Sequence, residues 1–380
     1  MKKYNRSIIF SGLVYHRVLR ILFAYLCVIS WIMSIAILNW STTQNFNFEN
    51  DISILTMVDV GQGDGFILEM PTGQKIYIDI GEKYQTLKEN RKVSGDTNFG
   101  GVTGTNMNGA INYALSAANS ILGNFVFSRN TADLLFLTHD DADHAGALAE
   151  FASNERIGAL GLSPFQYTYV KKLKNIPVSN LADLNNLEFF VRGMNINFGG
   201  QSDILQNSGM SVLYPDVQDI KSKNMSTSSR AVNPMSLIIK FNFGSTSILF
   251  TGDSGFDEEE YLVGLENGLS SSSHSRSKRY SLDSDILKVG HHGSKGSTDE
   301  SFLNAVSPNI ALISMGRDNK YGHPHSTVIS KLQKIVSAVD SSNQSTATNI
   351  IRTDLCGTVR LYIYKNGAVG RRKCDSSLEI

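Results

Sequence analysis

The chain has 380 residues, 41% of them apolar and 18% charged, with 35 basic against 35 acidic side chains. That apolar content supports a sizeable core, in one large domain or two smaller ones, and excludes a mainly disordered chain; seven prolines exclude a collagen-like or proline-rich architecture. Residues 1–40 hold Lys2, Lys3, Arg6, Arg17 and Arg20 and no acid, leaving 30 basic against 35 acidic residues beyond them, so bulk electrostatics disfavour a polyanion-coating protein.

The first predicted element is apolar. Ile21–Leu38 is a run of 18 residues without a charge, behind that basic flank, which is the pattern of an export signal or a signal anchor. The one small-residue cleavage candidate, Ser34-Ile35-Ala36, lies inside the run, which favours an uncleaved transmembrane anchor over a removed signal. A basic N-terminal side stays in the cytoplasm, so everything after Trp40 is expected on the outer face, membrane-anchored or secreted. The reading divides the chain into a basic flank and anchor (1–40), a polar linker (41–50) and one domain (51–380). Cys356 and Cys374 are the cysteines of the exported part, and they flank a hairpin pattern with an Asn366-Gly367 turn; a disulfide closing it and two unrelated thiols both stay open.

Strands are expected at Ile52–Val58, Phe66–Glu69, Lys75–Ile78, Leu134–Leu137, Met210–Leu213, Leu237–Phe241, Thr246–Phe250, Ile286–Val289, Ile310–Ser314 and Thr358–Tyr364. Helices are expected at Ile111–Leu122, Ala145–Ala152, Asp257–Leu265, Glu300–Ala305 and Ser326–Ser337. Alternation of this kind implies a layered α/β domain. Residues 82–130 and the basic, serine-rich Ser270–Arg279 read as inserted loops.

Several apolar runs end abruptly in residues that bind metals. LLFLT runs into His139-Asp140-Asp141-Ala142-Asp143-His144, SILFT into Gly252-Asp253, ILKVG into His291-His292-Gly293, and IYI into Asp79-Ile80-Gly81. Neighbouring strands would place these ends along one rim of a sheet, lining one pocket. His139, Asp141, Asp143 and His144 alternate imidazole and carboxylate, so one tight loop can direct ligands at two adjacent sites. Asp253 can bridge two cations, and His291 or His292 completes a set of nitrogen and oxygen donors suited to one or two divalent ions, Zn²⁺ first and Mn²⁺ second.

The motifs MVDVGQGDGFIL (Met57–Leu68), YIDIG, LTHDDADHAG, NPMSLIIKFNFGSTSILFTGD, LKVGHHGSKGS and NKYGHPH are similar, in this order, to the soluble C-terminal domain of ComEC-type DNA-uptake proteins, from about residue 52 to about residue 368. The resemblance implies a metallo-β-lactamase fold, an αββα four-layer sandwich whose members are mostly metal-dependent hydrolases. It places Asp59, Gln62 and Asp64 in the family signature, with a strand-turn-strand role and a site-positioning role both open. With one apolar segment in its 380 residues, this sequence is not expected to form the multi-span channel of full ComEC proteins. No histidine occurs from Ala145 to Phe250, where many fold members have one, so the first cation needs another ligand, such as Asp216 or Asn233.

The function expected is that of an extracytoplasmic phosphodiesterase or nuclease acting through a metal-bound hydroxide, with two cations about 3.5 to 4 Å apart. Asp143, His323 and His325 are the candidate catalytic residues, and Ser294 and Lys295 candidate contacts to an anionic substrate. A nucleic-acid substrate would meet a small basic focus at Lys288, Lys295, Arg317 and Ser270–Arg279. Hydrolysis of another ester, thioester or lactone is the alternative, as is a non-catalytic DNA-binding relative with a vestigial metal site.

Overall fold

The computed structural model describes residues 52–82, 131–154, 156–163, 187–197, 208–216, 236–267, 281–338 and 349–371. The segment Ile21–Leu38, the linker, the helix expected at Ile111–Leu122, Asn233, Ser270–Arg279 and Cys374 lie outside the described residues. Among those described, no helix is long and apolar enough to cross a membrane.

In chain order the strands are β1 (Ile52–Met57), β2 (Gly65–Glu69), β3 (Lys75–Ile80), β4 (Thr131–Ala132), β5 (Leu134–Leu137), β6 (Arg156–Ile157), β7 (Leu160–Leu162), β8 (Leu187–Phe189), β9 (Asn195–Asn197), β10 (Gly209–Tyr214), β11 (Ile238–Phe243), β12 (Thr246–Phe250), β13 (Ile286–Lys288), β14 (Ile310–Ile313), β15 (Ile350–Arg352), β16 (Val359–Tyr364) and β17 (Val369–Arg371). The helices are α1 (Ala142–Ala145), α2 (Leu148–Asn154), α3 (Phe256–Glu266), α4 (Glu300–Val306), α5 (Ser326–Ala338) and α6 (Thr353–Cys356).

Two large mixed sheets result. The first runs β17-β16-β1-β2-β3-β5-β7-β8, antiparallel up to β3 and parallel from β3 to β8; the second runs β15-β14-β13-β12-β11-β10-β9, parallel from β15 to β12 and antiparallel beyond. Parallel neighbours need long crossovers, and α3, α4 and α5 provide them between β12, β13, β14 and β15.

Three cores follow from this alternation of side chains. Leu55, Phe66, Leu68 and Ile78 of the first sheet meet Val212, Phe241, Phe250 and Leu312 of the second in one apolar layer, with Phe66 edge-on to Phe250 at 5.4 Å. On the other face of the first sheet, Leu148 and Phe151 of α2 pack on Ile67, Tyr77 and Leu135. On the other face of the second sheet, Leu262, Phe302, Leu303, Val328 and Leu332 from α3, α4 and α5 cover Ile238, Leu249, Leu287 and Ala311. The architecture is mixed α/β with two large sheets; most residues of the central strands are buried because both faces are covered, whereas β16 alternates and no residue of β17 is fully buried.

Two expectations need correction. The helix expected at Ala145–Ala152 is two helices parted at Gly146, and the first begins inside the His/Asp motif, so Asp143 and His144 stand on a helical turn. The metal-competent loops do not share one sheet rim. Asp79 and His139 lie at the ends of β3 and β5 in the first sheet, whereas Asp253, His291 and His292 follow β12 and β13 in the second. The chain switches sheets between β8 and β9, a change that the strand patterning does not mark.

Candidate metal centre between the two sheets

Close backbone contacts bring the loops together. Gly63, at φ +128°, lies against the backbone of the His/Asp motif; a Cβ there would stand 2.0 Å from the Asp143 carbonyl oxygen. The same carbonyl accepts the Asp64 N–H at 3.1 Å, so DVGQGD and HDDADH are locked into one unit. Gly252 fits against Ser236 and Thr138, and the Ser236 hydroxyl accepts the Asp253 N–H at 3.0 Å. Asp79, His291 and His292 all hold left-handed backbone, at φ 56°, 49° and 53°. For side-chain-bearing residues this is a strained state that surrounding structure must enforce, and it gathers at sites with work to do.

Two histidines form the centre. His144 and His292 are buried, and their Nε2 atoms lie 3.2 Å apart. Each ring is held from behind: His144 Nδ1 meets Asp79 Oδ2 at 2.7 Å, and His292 Nδ1 meets the Ser314 carbonyl at 2.7 Å. Asp79 is itself fixed by the Thr138 N–H and hydroxyl, both at 2.7 Å. Support of this kind sets the tautomer of a ligating histidine and aims the other nitrogen forward.

The Asp253 carboxylate divides the remaining donors. Its Oδ1 lies 3.2 Å from His144 Nε2 and 3.5 Å from His292 Nε2, and His292 Nε2 also reaches Asp143 Oδ2 at 3.4 Å. Its Oδ2 lies 3.9 Å from His139 Nε2 and 3.6 Å from His291 Nε2, with Asp141 Oδ2 3.7 Å from His139 Nε2. The seven residues of the sequence-derived metal set thus fall into an inner group (Asp143, His144, His292) and an outer group (His139, Asp141, His291) around one shared carboxylate. His291 stands on the outer side, where the sequence lacks a further histidine. Asp216 is engaged elsewhere, in an ion pair with Arg192 at 2.8 Å.

Asp64 is the residue that sequence reasoning undervalued. Asp64, His144, Asp253 and His292 have donor atoms all within 4.8 Å of one another, and all four are buried. Asp64 approaches both imidazoles from the Nδ1 side, at 3.7 Å from His144 and 3.3 Å from His292, behind the rings rather than in front of them. It is ion-paired with Lys288, whose buried ammonium also donates to the Gly252 carbonyl at 2.7 Å and lies 3.8 Å from Asp253 Oδ1. Lys288 is therefore not part of a basic focus for nucleic acid, because its charge is consumed inside the protein. The only sequence signal for this pair was the DVGQGD motif.

At the mouth, Lys295 is exposed and Ser294 partly so. His323 and His325 are partly buried with their rings 5.2 Å apart, and His323 stands 5.7 Å from the His291 ring. Burial, then the neighbouring imidazoles of His292, His291 and His325, lower His323 to about 4.

Burial would push the His292 imidazole down, but Asp253 and Asp64, together with hydrogen bonds to Asp143 and Asp64, outweigh it and raise it to about 10. Asp253 and Asp79 likewise overcome burial at His144 and raise it well above the ordinary value. Two Nε2 atoms 3.2 Å apart share at least one proton, which a cation bound there must displace. Loading the metal-free chain with Zn²⁺ near pH 7 is therefore expected to release at least one proton per chain, with apparent affinity rising as pH rises. Calorimetry in two buffers of different ionisation enthalpy measures it, and a release of zero protons would show the pair already deprotonated.

No protein-family profile matches the chain. It is similar to ComE operon protein 3 of Bacillus subtilis (strain 168), 27% identical over 315 residues that cover 82% of this chain and 33% of that one. It is also similar to Recombination protein 2 of Haemophilus influenzae, 29% identical over 208 residues (55% and 21%), and to Competence protein ComA of Neisseria gonorrhoeae, 32% identical over 140 residues (37% and 17%). The chain spans a third or less of the length of these relatives. They bear out the resemblance to ComEC-type proteins carried by the motifs. Among solved structures, the diiron β-hydroxylase CmlA of Streptomyces venezuelae aligns with a TM-score of 0.45 at 13% identity, over 82% of this chain and 54% of that one.

Proposed function

We propose that the domain is a metal-dependent phosphodiesterase or nuclease of the metallo-β-lactamase type, an αββα sandwich that works outside the cytoplasm. The observation that carries this reading is the Asp253 carboxylate, whose two oxygens each face a separate set of nitrogen and oxygen donors. The donor set fits divalent cations. His139 Nε2 and Asp253 Oδ1 are buried without a hydrogen-bond partner, a costly arrangement that a cation relieves.

An inner cation would be held by Asp143, His144, His292 and Asp253, and an outer one by His139, Asp141, His291 and Asp253. Bound ions would supply an activated water at neutral pH and charge stabilisation for a phosphoryl group, with Zn²⁺ or Mn²⁺ suited to these donors. The protein's own groups do the rest. Asp79 and the Ser314 carbonyl orient the two inner rings, while His323, His325, Ser294 and Lys295 border the mouth where an anionic substrate enters. Names of relatives that refer to competence and recombination favour a nucleic-acid substrate. Cys356 is disulfide-bonded, which supports an oxidising compartment and hence an outer location reached through an N-terminal anchor.

The test is hydrolysis by the purified full chain. The metal-loaded protein should cleave bis(p-nitrophenyl) phosphate or single-stranded DNA and lose nearly all activity after chelation. Turnover of lactones or thioesters alone would move the assignment to another hydrolase of this fold, and a chain that binds no metal would make it a non-catalytic relative.

A further inference from the structure

We infer that Tyr321 is a stacking platform for a nucleobase adjoining the scissile phosphate, with Lys320 beside it for a neighbouring phosphate; this rests on the phosphodiesterase reading above. Tyr321 is 51% exposed, and among the described aromatic residues only Phe256, at 40%, is exposed with it. Exposed single aromatics are common on proteins and mean little alone. This one is distinguished by what lies beneath it.

The Tyr321 ring is stacked on His323, with centroids 5.6 Å apart and planes at 22°. His323 in turn stands 5.7 Å from the His291 ring and 6.3 Å from the His292 ring. Tyr321 therefore ends a column of rings that begins in the candidate metal centre. Lys320 Nζ lies 5.2 Å from the Tyr321 centroid.

The loop is built to hold this platform still. The Asn319 side-chain amide donates to the Gly316 carbonyl at 3.0 Å and to the His323 carbonyl at 2.8 Å, and its oxygen accepts the His323 N–H at 2.9 Å. One side chain thus staples both ends of the turn that carries Tyr321. Gly322, at φ +70°, supplies the left-handed residue the turn requires. At its base, Gly316 is set against Gln62, whose side-chain oxygen accepts the Gly316 N–H at 3.3 Å, tying the loop to the DVGQGD segment. A fixed aromatic face pays little ordering entropy when a base lands on it. Such stacking tolerates any base because each has a π-face, and it is worth about 1 to 3 kcal/mol per base. Stacking reads no base edge, so the expected ligand is single-stranded phosphodiester without sequence preference.

The experiment compares two substrates of identical backbone, a thymidine dinucleotide and its abasic analogue, cleaved by the Mn²⁺- or Zn²⁺-loaded full chain. The wild-type kcat/KM should favour the base-bearing substrate by roughly ten-fold or more. Tyr321→Ala should bring the two substrates to near parity, with a wild-type metal content and far-ultraviolet circular dichroism spectrum showing that it folds, and Tyr321→Trp should keep the preference. Wild-type cleavage of both at equal rates would overturn the stacking platform and leave the phosphodiesterase reading intact. Retention of the full preference in Tyr321→Ala would likewise overturn it. Cleavage of neither, with bis(p-nitrophenyl) phosphate also inert, would overturn the phosphodiesterase reading and the platform that rests on it.

Discussion

Asp253→Ala is expected to leave the chain without bound metal and without hydrolysis. Each terminal ligand serves one group of donors, whereas Asp253 Oδ1 faces His144 and His292 and its Oδ2 faces His139 and His291. Removing it takes a carboxylate from both groups at once, and it leaves the inner imidazoles without the charge that does most to offset their burial. Asp141→Ala is the matched comparison, because Asp141 approaches His139, in the outer group. That variant should keep about one metal equivalent per chain if the wild type holds two. Elemental analysis of the full chain after dialysis against Zn²⁺ and buffer separates the cases. Two equivalents retained by Asp253→Ala would refute the shared-carboxylate reading.

The motifs exposed much of this in the bare sequence. Apolar runs that end in His139, Asp253 and His291 are legible because strands buried on both faces read as unbroken hydrophobic stretches, and the change to polar residues marks the strand end. The alternation in HDDADH was legible as well, and its four residues divide between the inner and outer donor groups, with Asp143 and His144 on a helical turn rather than a loop. What escaped notice has a different physical character. The partition of the loops between two sheets depends on where the chain crosses over, and β7, β8 and β9, three residues each, give too little pattern to show it. Lys288 looked like one more surface cation. A lysine in the strand run Ile286–Lys288 points inward only because Asp64, more than two hundred residues earlier, waits there with its charge. His291 on the outer side is likewise a product of two successive left-handed residues, which no periodicity reveals.

Lys288→Met is expected to cost about 3 to 5 kcal/mol of stability at pH 7, the usual consequence of leaving one partner of a buried ion pair behind. Methionine keeps the length and apolar stem of the lysine, so packing loss is small and the effect is electrostatic. The stranded partner is Asp64, buried behind the His144 and His292 rings. Burial would raise its carboxyl, but Lys288 first, then His292 and His144, hold it below the ordinary carboxylate value. A carboxylate lowered by folding contributes stability that is present above its unfolded value, roughly 3.9, and is lost as pH falls through the folded one. In Lys288→Met the principal opposing charge is gone while burial persists, so the Asp64 carboxyl rises. The variant then recovers stability by protonating Asp64 as pH falls towards the unfolded value, and below that value the wild type loses the benefit of the pair. The two stability curves should therefore converge in acid. Asp64→Asn in the Lys288→Met background should recover part of the loss, since neither side then leaves an unpaired charge, giving a coupling of about 1 to 3 kcal/mol in the double-mutant cycle. Urea denaturation of the metal-free full chain at pH 7 and pH 4.5, followed by far-ultraviolet circular dichroism, measures all four proteins. A deficit of the same size at both pH values, or one below about 1 kcal/mol at pH 7, would mean that Lys288 does not balance Asp64 and that the pair contributes little to holding the two inner histidines in place.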